Sequence, residues 1–312
     1  MEQLIKTTTA YLTVQRDFTR GTLSHAYLLW FADSKNLRSA LKMFALVIMG
    51  QTKQTLSGRR ICDESYPDCQ FYPEDGSKMT VEGISALVED CALRPLESDK
   101  KLYVLVGFEQ ASPVVQNKLL KILEEPPQNV VFLLGATATA PILDTVRSRV
   151  KMLTIAPFSP AQIQSALLRE FPNCPEAEEI AQSCGGVLGV AQSMVGGGWF
   201  HEVHTAASEI CLANSIEKIA TLSQKYGDSK YKNELLAEMQ RLYYLAYTTY
   251  AGAAGNSLTL QIAQTWQKAT LCFAEGEVTR AVADVKFNAF FSGLLYDFML
   301  RVMEENKKWL KL

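Results

Sequence analysis

Few residues in this chain have the types and spacing that chemistry needs. Arg147-Ser148-Arg149 closes a short helical pattern just ahead of an apolar segment, a helix-to-strand turn that should leave Arg149 exposed. A guanidinium stays charged, and its planar fork fits carboxylates and phosphates. Taken alone, an arginine so placed is expected to pair with a carboxylate at its own surface. Glu124 and Glu125 precede Pro126-Pro127. With no substrate-facing partner in view, they are expected to steady the loop before the double proline rather than do acid–base work. His201-Glu202-Val203-His204 is one residue too short to set two histidines at i and i+4 for zinc, and reads as a helical surface pair. The seven cysteines, at 62, 69, 91, 174, 184, 211 and 272, include no Cys-x-x-Cys pair, so no metal site is expected. There is no Gly-x-Ser-x-Gly elbow, and His25 is expected to make a structural contact at a sheet edge.

The segment Trp30-Phe31-Ala32-Asp33-Ser34-Lys35-Asn36-Leu37-Arg38 follows a short apolar run and precedes a helical pattern. A phosphate-binding loop in that place needs glycines, so that backbone amides wrap the phosphate oxygens, then a lysine and a hydroxyl. This segment has no glycine. Leu37 stands where the lysine belongs and Arg38 where the hydroxyl belongs; Asp33 is set to repel phosphate, and Lys35 is expected to be a solvated surface lysine. No bound cofactor is therefore expected.

The elements around these residues alternate through 1–155. Leu4 to Phe18, Asn36 to Met49 and Val81 to Cys91 carry helical stripes, while His25–Trp30, Leu102–Val106, Val130–Leu134 and Lys151–Ile155 read as strands. Ser112 and Pro113 begin the clearest helix, whose stripe is Val115, Leu119, Ile122 and Leu123; Pro126 and Pro127 stop it. Alternation of this kind implies a parallel sheet with helices on both faces. Ser159-Pro160 starts a helical region, Gly185-Gly186 separates two short helices, and Gly196-Gly197-Gly198 is the expected linker. Beyond it lie long helical patterns, including Asn233 to Tyr250 and Glu277 to Glu305, with Phe287 among their apolar positions. The expected class is α/β plus all-α: an α/β domain over 1–155, a small helical lid over 156–198 and a helical bundle over 199–312.

With 18 basic and 17 acidic residues in 1–155, the chain lacks the basic excess of an autonomous nucleic-acid binder. No apolar run approaches the roughly 20 residues of a membrane span, and the first residues lack a signal peptide's basic start and apolar block. No membrane association and a cytoplasmic location are expected.

The three-part order, with Leu119-Leu120-Lys121-Ile122-Leu123-Glu124-Glu125-Pro126-Pro127 inside it, resembles the AAA+ clamp-loader family of bacterial DNA polymerase III. The likeness is strongest from Gly21 to Gly189 and includes Tyr66-Pro67-Asp68 and Ile142-Leu143-Asp144-Thr145-Val146-Arg147-Ser148-Arg149-Val150. It implies a RecA-like parallel sheet, a lid and a C-terminal collar that holds a hetero-oligomer. The implied partners are loader ATPase subunits and a delta-type subunit, with the sliding clamp and primed DNA reached through the complex. The chain would be part of a polymerase holoenzyme with no ATPase of its own. Active relatives carry magnesium-binding carboxylates where this chain has Val106 and Gly107, with Glu109 two residues late. They also carry a lid arginine that Gly185-Gly186-Val187-Leu188-Gly189 lacks. Related subunits usually hold a four-cysteine zinc module, absent from the short stretch Gly50 to Cys62. Family members present the arginine of a Ser-Arg-Cys motif to a neighbour's ATP, which implies Arg149 as a trans-acting finger supported by Ser148, with Val150 in place of the cysteine. The competing expectations are an ATPase with an unusual loop and a regulatory adaptor of this architecture outside replication.

Overall fold

Short apolar runs separated by amphipathic helices favour parallel pairing, because each connection has length enough to cross back over the sheet. The computed structural model, which describes residues 1–74, 78–250, 252, 256–286 and 290–309, shows that arrangement. Two units emerge, Met1–Gln192 and Ser193–Leu312. In chain order the first contains α1 (Glu2–Lys6), α2 (Thr9–Thr19), β1 (Ala26–Phe31), α3 (Leu37–Ile48), α4 (Leu56–Cys62), β2 (Cys69–Tyr72), α5 (Val81–Asp90) and β3 (Lys101–Val106). A 3-10 turn at Phe108–Gln110 leads to α6 (Pro113–Glu124), β4 (Val130–Ala136), α7 (Asp144–Arg147), β5 (Lys151–Ile155), α8 (Pro160–Glu170), α9 (Ala177–Ser183) and the start of α10 (Leu188–Gly197). The five strands lie in the order β2-β3-β4-β1-β5, every pair parallel.

One sheet face packs Ala26, Leu28, Tyr103, Leu105, Phe132 and Leu134 against α5, α6 and α7. From the other face, β3 and β4 meet α3, and β5 meets α2. Both faces are thus covered, and β4 is buried along its whole length. Gly135 is needed there: a Cβ on it would lie 2.4 Å from Leu41 Cδ1 of α3. On α6, Ser112 accepts from the Val115 amide at 3.3 Å, and Val115, Leu119, Ile122 and Leu123 are buried as expected. Ser159 and Gln162 form a reciprocal capping box at the start of α8.

Three expectations are corrected. The stripe from Leu4 to Phe18 is two helices, because the Thr8 side chain accepts from the Tyr11 amide and opens a new helix. The triple glycine is not an open linker: α10 continues through Gly196 and Gly197, with Gly198 at φ +62°. A helical glycine costs only about 1 kcal/mol against alanine, too little to force a stop. The pattern from Glu277 to Glu305 belongs to two helices, α15 and α16 below; Phe287 lies outside the described residues. The four-residue β2 was too short for periodicity to reveal.

Tyr66-Pro67-Asp68 acquires a structural task. Asp68 is buried, and its carboxylate accepts from the amides of Leu96, Glu97 and Ser98 at 2.7, 2.7 and 2.8 Å. It thereby fixes the loop that delivers β3. Asp68→Ala is expected to destabilise the first unit by about 2–3 kcal/mol, since three amides lose a charged acceptor, visible as a lower urea midpoint.

The second unit is helical: the rest of α10, then α11 (Phe200–Cys211), α12 (Ile216–Tyr226), α13 (Lys232–Thr249), α14 (Ser257–Thr265), α15 (Lys268–Lys286) and α16 (Phe291–Trp309). Helix α13 packs against α11, α14 and α15, and α16 against α12 and α15. Ile210, Leu236, Met239, Leu242, Tyr243, Leu295 and Phe298 belong to the common core. His204 is no solvated surface residue. Its Nδ1 lies 2.7 Å from Glu238 Oε1, and Glu238, itself buried, also accepts from Arg241 Nε at 2.8 Å and Nη2 at 2.6 Å. Among the described residues no helix is long and apolar enough to cross a membrane.

Candidate functional site

The residues singled out by their chemistry fall at opposite edges of the parallel sheet. The Trp30–Arg38 segment leaves the C-terminal end of β1, whereas Arg149 lies two residues before β5, at the edge where every strand begins. A six-residue strand separates them by about 20 Å. Arg149 therefore cannot serve a ligand at the β1 loop of its own chain.

At the C-terminal edge, Asp33 is 1% exposed. Its Oδ2 accepts from the Gly189 amide at 2.7 Å and from Asn36 Nδ2 at 2.8 Å, while Oδ1 accepts from the Asn36 amide at 3.1 Å. Asn36 Nδ2 also donates to Gln192 Oε1 at 3.1 Å, and Gln192 Nε2 to Glu170 Oε2 at 2.7 Å. The loop thus places a carboxylate at the first turn of α10, where helix amides favour an anion. Gly189 allows this approach: a Cβ on it would lie 2.1 Å from Asp33 Oδ1. Asp33, expected to repel phosphate, is engaged by donors of the chain itself.

The neighbouring positions are equally committed. Leu37 is buried in the first turn of α3. Arg38 points away to Glu64, which it binds through Nε at 2.7 Å and again through Nη2, and to the Pro73 carbonyl at 3.1 Å. Hydrogen bonding from Arg38, reinforced by Lys42 against the opposing effect of burial, lowers the Glu64 carboxyl to about 2. Lys35 is exposed. Glu109 Oε1 accepts from Thr137 Oγ1 at 2.7 Å, and its buried Oε2 has no hydrogen-bond partner. Among the described residues no cluster of three or more His, Cys, Asp or Glu side chains forms a candidate metal site.

At the N-terminal edge, α7 and the turn after it present Arg147, Ser148 and Arg149. Arg147 pairs with Asp144 on the same helix. Ser148 sits at the helix C-cap, donates to the Thr145 carbonyl at 3.1 Å and accepts from Arg149 Nη1 at 3.1 Å. Arg149 Nη1 also donates to the Thr145 carbonyl at 2.7 Å, and Nη2 pairs with Glu124 Oε1 at 2.5 Å. The Arg149 side chain is 33% exposed, less than its turn position suggested. The Arg149 carbonyl accepts from His25 Nε2 at 3.1 Å, the sheet-edge contact expected of that histidine. Glu124, expected to steady the proline loop, is the partner of Arg149. Val150 packs against the apolar core beneath.

Sequence reasoning missed Gln116. It is 1% exposed, donates to the carbonyls of Ala111 at 2.9 Å and Pro141 at 3.1 Å, and accepts from the Leu143 amide at 2.9 Å. These bonds join the start of α6 to the loop that launches α7. The signal was available: Gln116 lies three residues before Leu119 on the apolar stripe, and a buried polar group there must find partners.

Residues 6–159 match the family model described as DNA polymerase III, delta subunit. The delta-prime subunit of DNA polymerase III from Bacillus subtilis (strain 168) is 30% identical over 171 residues, 51% of this chain and 49% of that protein. The delta-prime subunit from Haemophilus influenzae (strain Rd) is 27% identical over 153 residues, 47% of each chain. The matched part spans about half the length of these relatives. Among solved structures, a DNA polymerase III gamma-subunit-related protein of Thermotoga maritima covers 94% of this chain and 98% of its own at 15% identity, with a TM-score of 0.42.

Proposed function

From the premise that this is a delta-prime-like chain of the DNA polymerase III clamp-loader family, we propose that it is a non-hydrolysing loader subunit that assists placement of the sliding clamp on primed DNA. The observation that carries this reading is the β1 loop, where a buried carboxylate, Asp33, stands in place of an amide cradle for phosphate. A triphosphate entering there would have to displace that carboxylate and gain no lysine at position 37. In this reading residues 1–155 form the degenerate AAA+ domain, 156–198 the lid and 199–312 the collar that joins the ATPase subunits and a delta-type subunit. Arg149, supported by Ser148, serves an ATP held by the adjacent subunit, where a guanidinium stabilises charge developing on the transferred phosphoryl group. The 20 Å separation from its own β1 loop supports action in trans.

Two measurements test this. The chain alone is expected to give no binding heat with Mg-ATP at millimolar concentration; a stoichiometric isotherm would favour an ATPase with an unusual loop. Mixed with loader ATPase and delta-type subunits, the chain is expected to enter one complex and to be required for clamp loading on primed DNA. Failure to assemble would favour an adaptor outside replication.

A further inference from the structure

Glu124 has no role in the proposed function so far, yet it holds the residue on which that function turns. It occupies the last position of α6, two turns beyond the buried Gln116, and its carboxylate meets Arg149 Nη2 at 2.5 Å. Both terminal nitrogens of Arg149 are thereby engaged within the chain, Nη2 by a full charge and Nη1 by the Thr145 carbonyl and Ser148 hydroxyl. The two holds differ in kind. The Thr145 and Ser148 contacts come from the turn that carries Arg149 and are made to neutral oxygens. The Glu124 contact bridges to another helix and supplies the opposite charge that an external anion would have to replace.

We infer that Glu124 is a displaceable latch, a resident counter-ion that keeps Arg149 directed along its own surface until the triphosphate of an adjacent subunit outcompetes it. This rests on the reading of Arg149 as a trans-acting finger. The pair suits such an exchange because it is weak: with Arg149 33% and Glu124 48% exposed, water screens it. A triphosphate carries several charges and can take both guanidinium nitrogens at once, so it wins where a single carboxylate or a free phosphate does not. The neighbouring Arg147 does not compete for Glu124, being paired with Asp144.

The test compares Glu124→Gln with Glu125→Gln, first in the free chain and then in the reconstituted loader. In the free chain, the rate of phenylglyoxal modification at Arg149, followed by peptide mass spectrometry, is expected to rise about two- to five-fold in Glu124→Gln, the span set by what an exposed ion pair is worth. Glu125→Gln is expected to leave it unchanged. In the loader, Glu124→Gln is expected to raise ATP hydrolysis in the absence of clamp and DNA by the same factor, and to have no effect once Arg149→Ala is present. Unchanged Arg149 reactivity in the free chain overturns the latch. So does a fall in hydrolysis with Glu124→Gln, which would make Glu124 a support rather than a competitor. If Arg149→Ala alone leaves hydrolysis intact, the finger reading itself fails, and the free-chain labelling separates that failure from failure of the latch.

Discussion

Arg149→Ala is expected to slow single-turnover ATP hydrolysis at the adjoining subunit's site by roughly 10³-fold, the low end of what an arginine finger contributes. Total steady-state hydrolysis by the complex should fall less, because sites not served by this chain keep their own machinery. Assembly should persist. Arg149 is held by one exposed ion pair and two local hydrogen bonds, and losing an exposed ion pair costs at most about 1 kcal/mol. The fold beneath depends instead on Val146 and the Gln116 bonds, which the substitution does not touch. Arg149→Lys should recover little, since an ammonium is a point charge without the planar fork that grips two phosphate oxygens. Size-exclusion chromatography establishes the intact complex, and rapid-quench hydrolysis gives the rate. An unchanged rate in an intact complex would remove Arg149 from the chemistry.

The second large effect is expected in the helical unit. Glu238→Ala should destabilise it by about 3–5 kcal/mol, because truncation leaves Arg241 and His204 around a space that held their common carboxylate. Arg241 already has one buried nitrogen, Nη1, without a partner. The pH dependence has a definite sign. Burial alone would raise the Glu238 carboxyl, but hydrogen bonds from Arg241 and His204 outweigh it and hold the group below its usual 4.5. A carboxyl depressed in the folded state contributes stability that is fully present above its unfolded pKa of about 4.5. That contribution is lost as pH falls through the lower folded value. The unaltered chain should therefore lose stability in this unit below about pH 4.5, and Glu238→Ala should lack that component of the decline. Denaturant titration in a background where Trp30, Trp199 and Trp309 are replaced by Phe follows Trp266, buried in the same core with its Nε1 donating to the Cys211 carbonyl at 2.6 Å. Equal acid sensitivity in both proteins would show that the network carries no net stability.

The local order of the first unit was legible in the sequence. Apolar runs and stripes gave β1, β3, β4 and β5, and Ser112-Pro113 and Ser159-Pro160 placed two helix starts, because capping and proline geometry act within four residues. The absence of glycine after β1 is equally plain in the residues themselves. Short-range signals misled where a break depended on weak or distributed preferences, as at Thr8 and across Gly196–Gly198.

What tertiary structure alone decided is partnership. Asp33 and Gly189 are 156 residues apart, Lys151 and Asp17 134, and Arg149 and His25 124. No periodicity specifies such pairs, since the sheet brings them together only after five strands have fixed their order and register. The sequence by itself determined that a charged residue stands at position 33 and an arginine at 149. Folding decided that the first is a buried internal anion at the foot of α10, and that the second lies at the opposite edge of the sheet beside Glu124. The physical reason is that charge type is a property of the residue, whereas burial, direction and counter-ion belong to the packed neighbours.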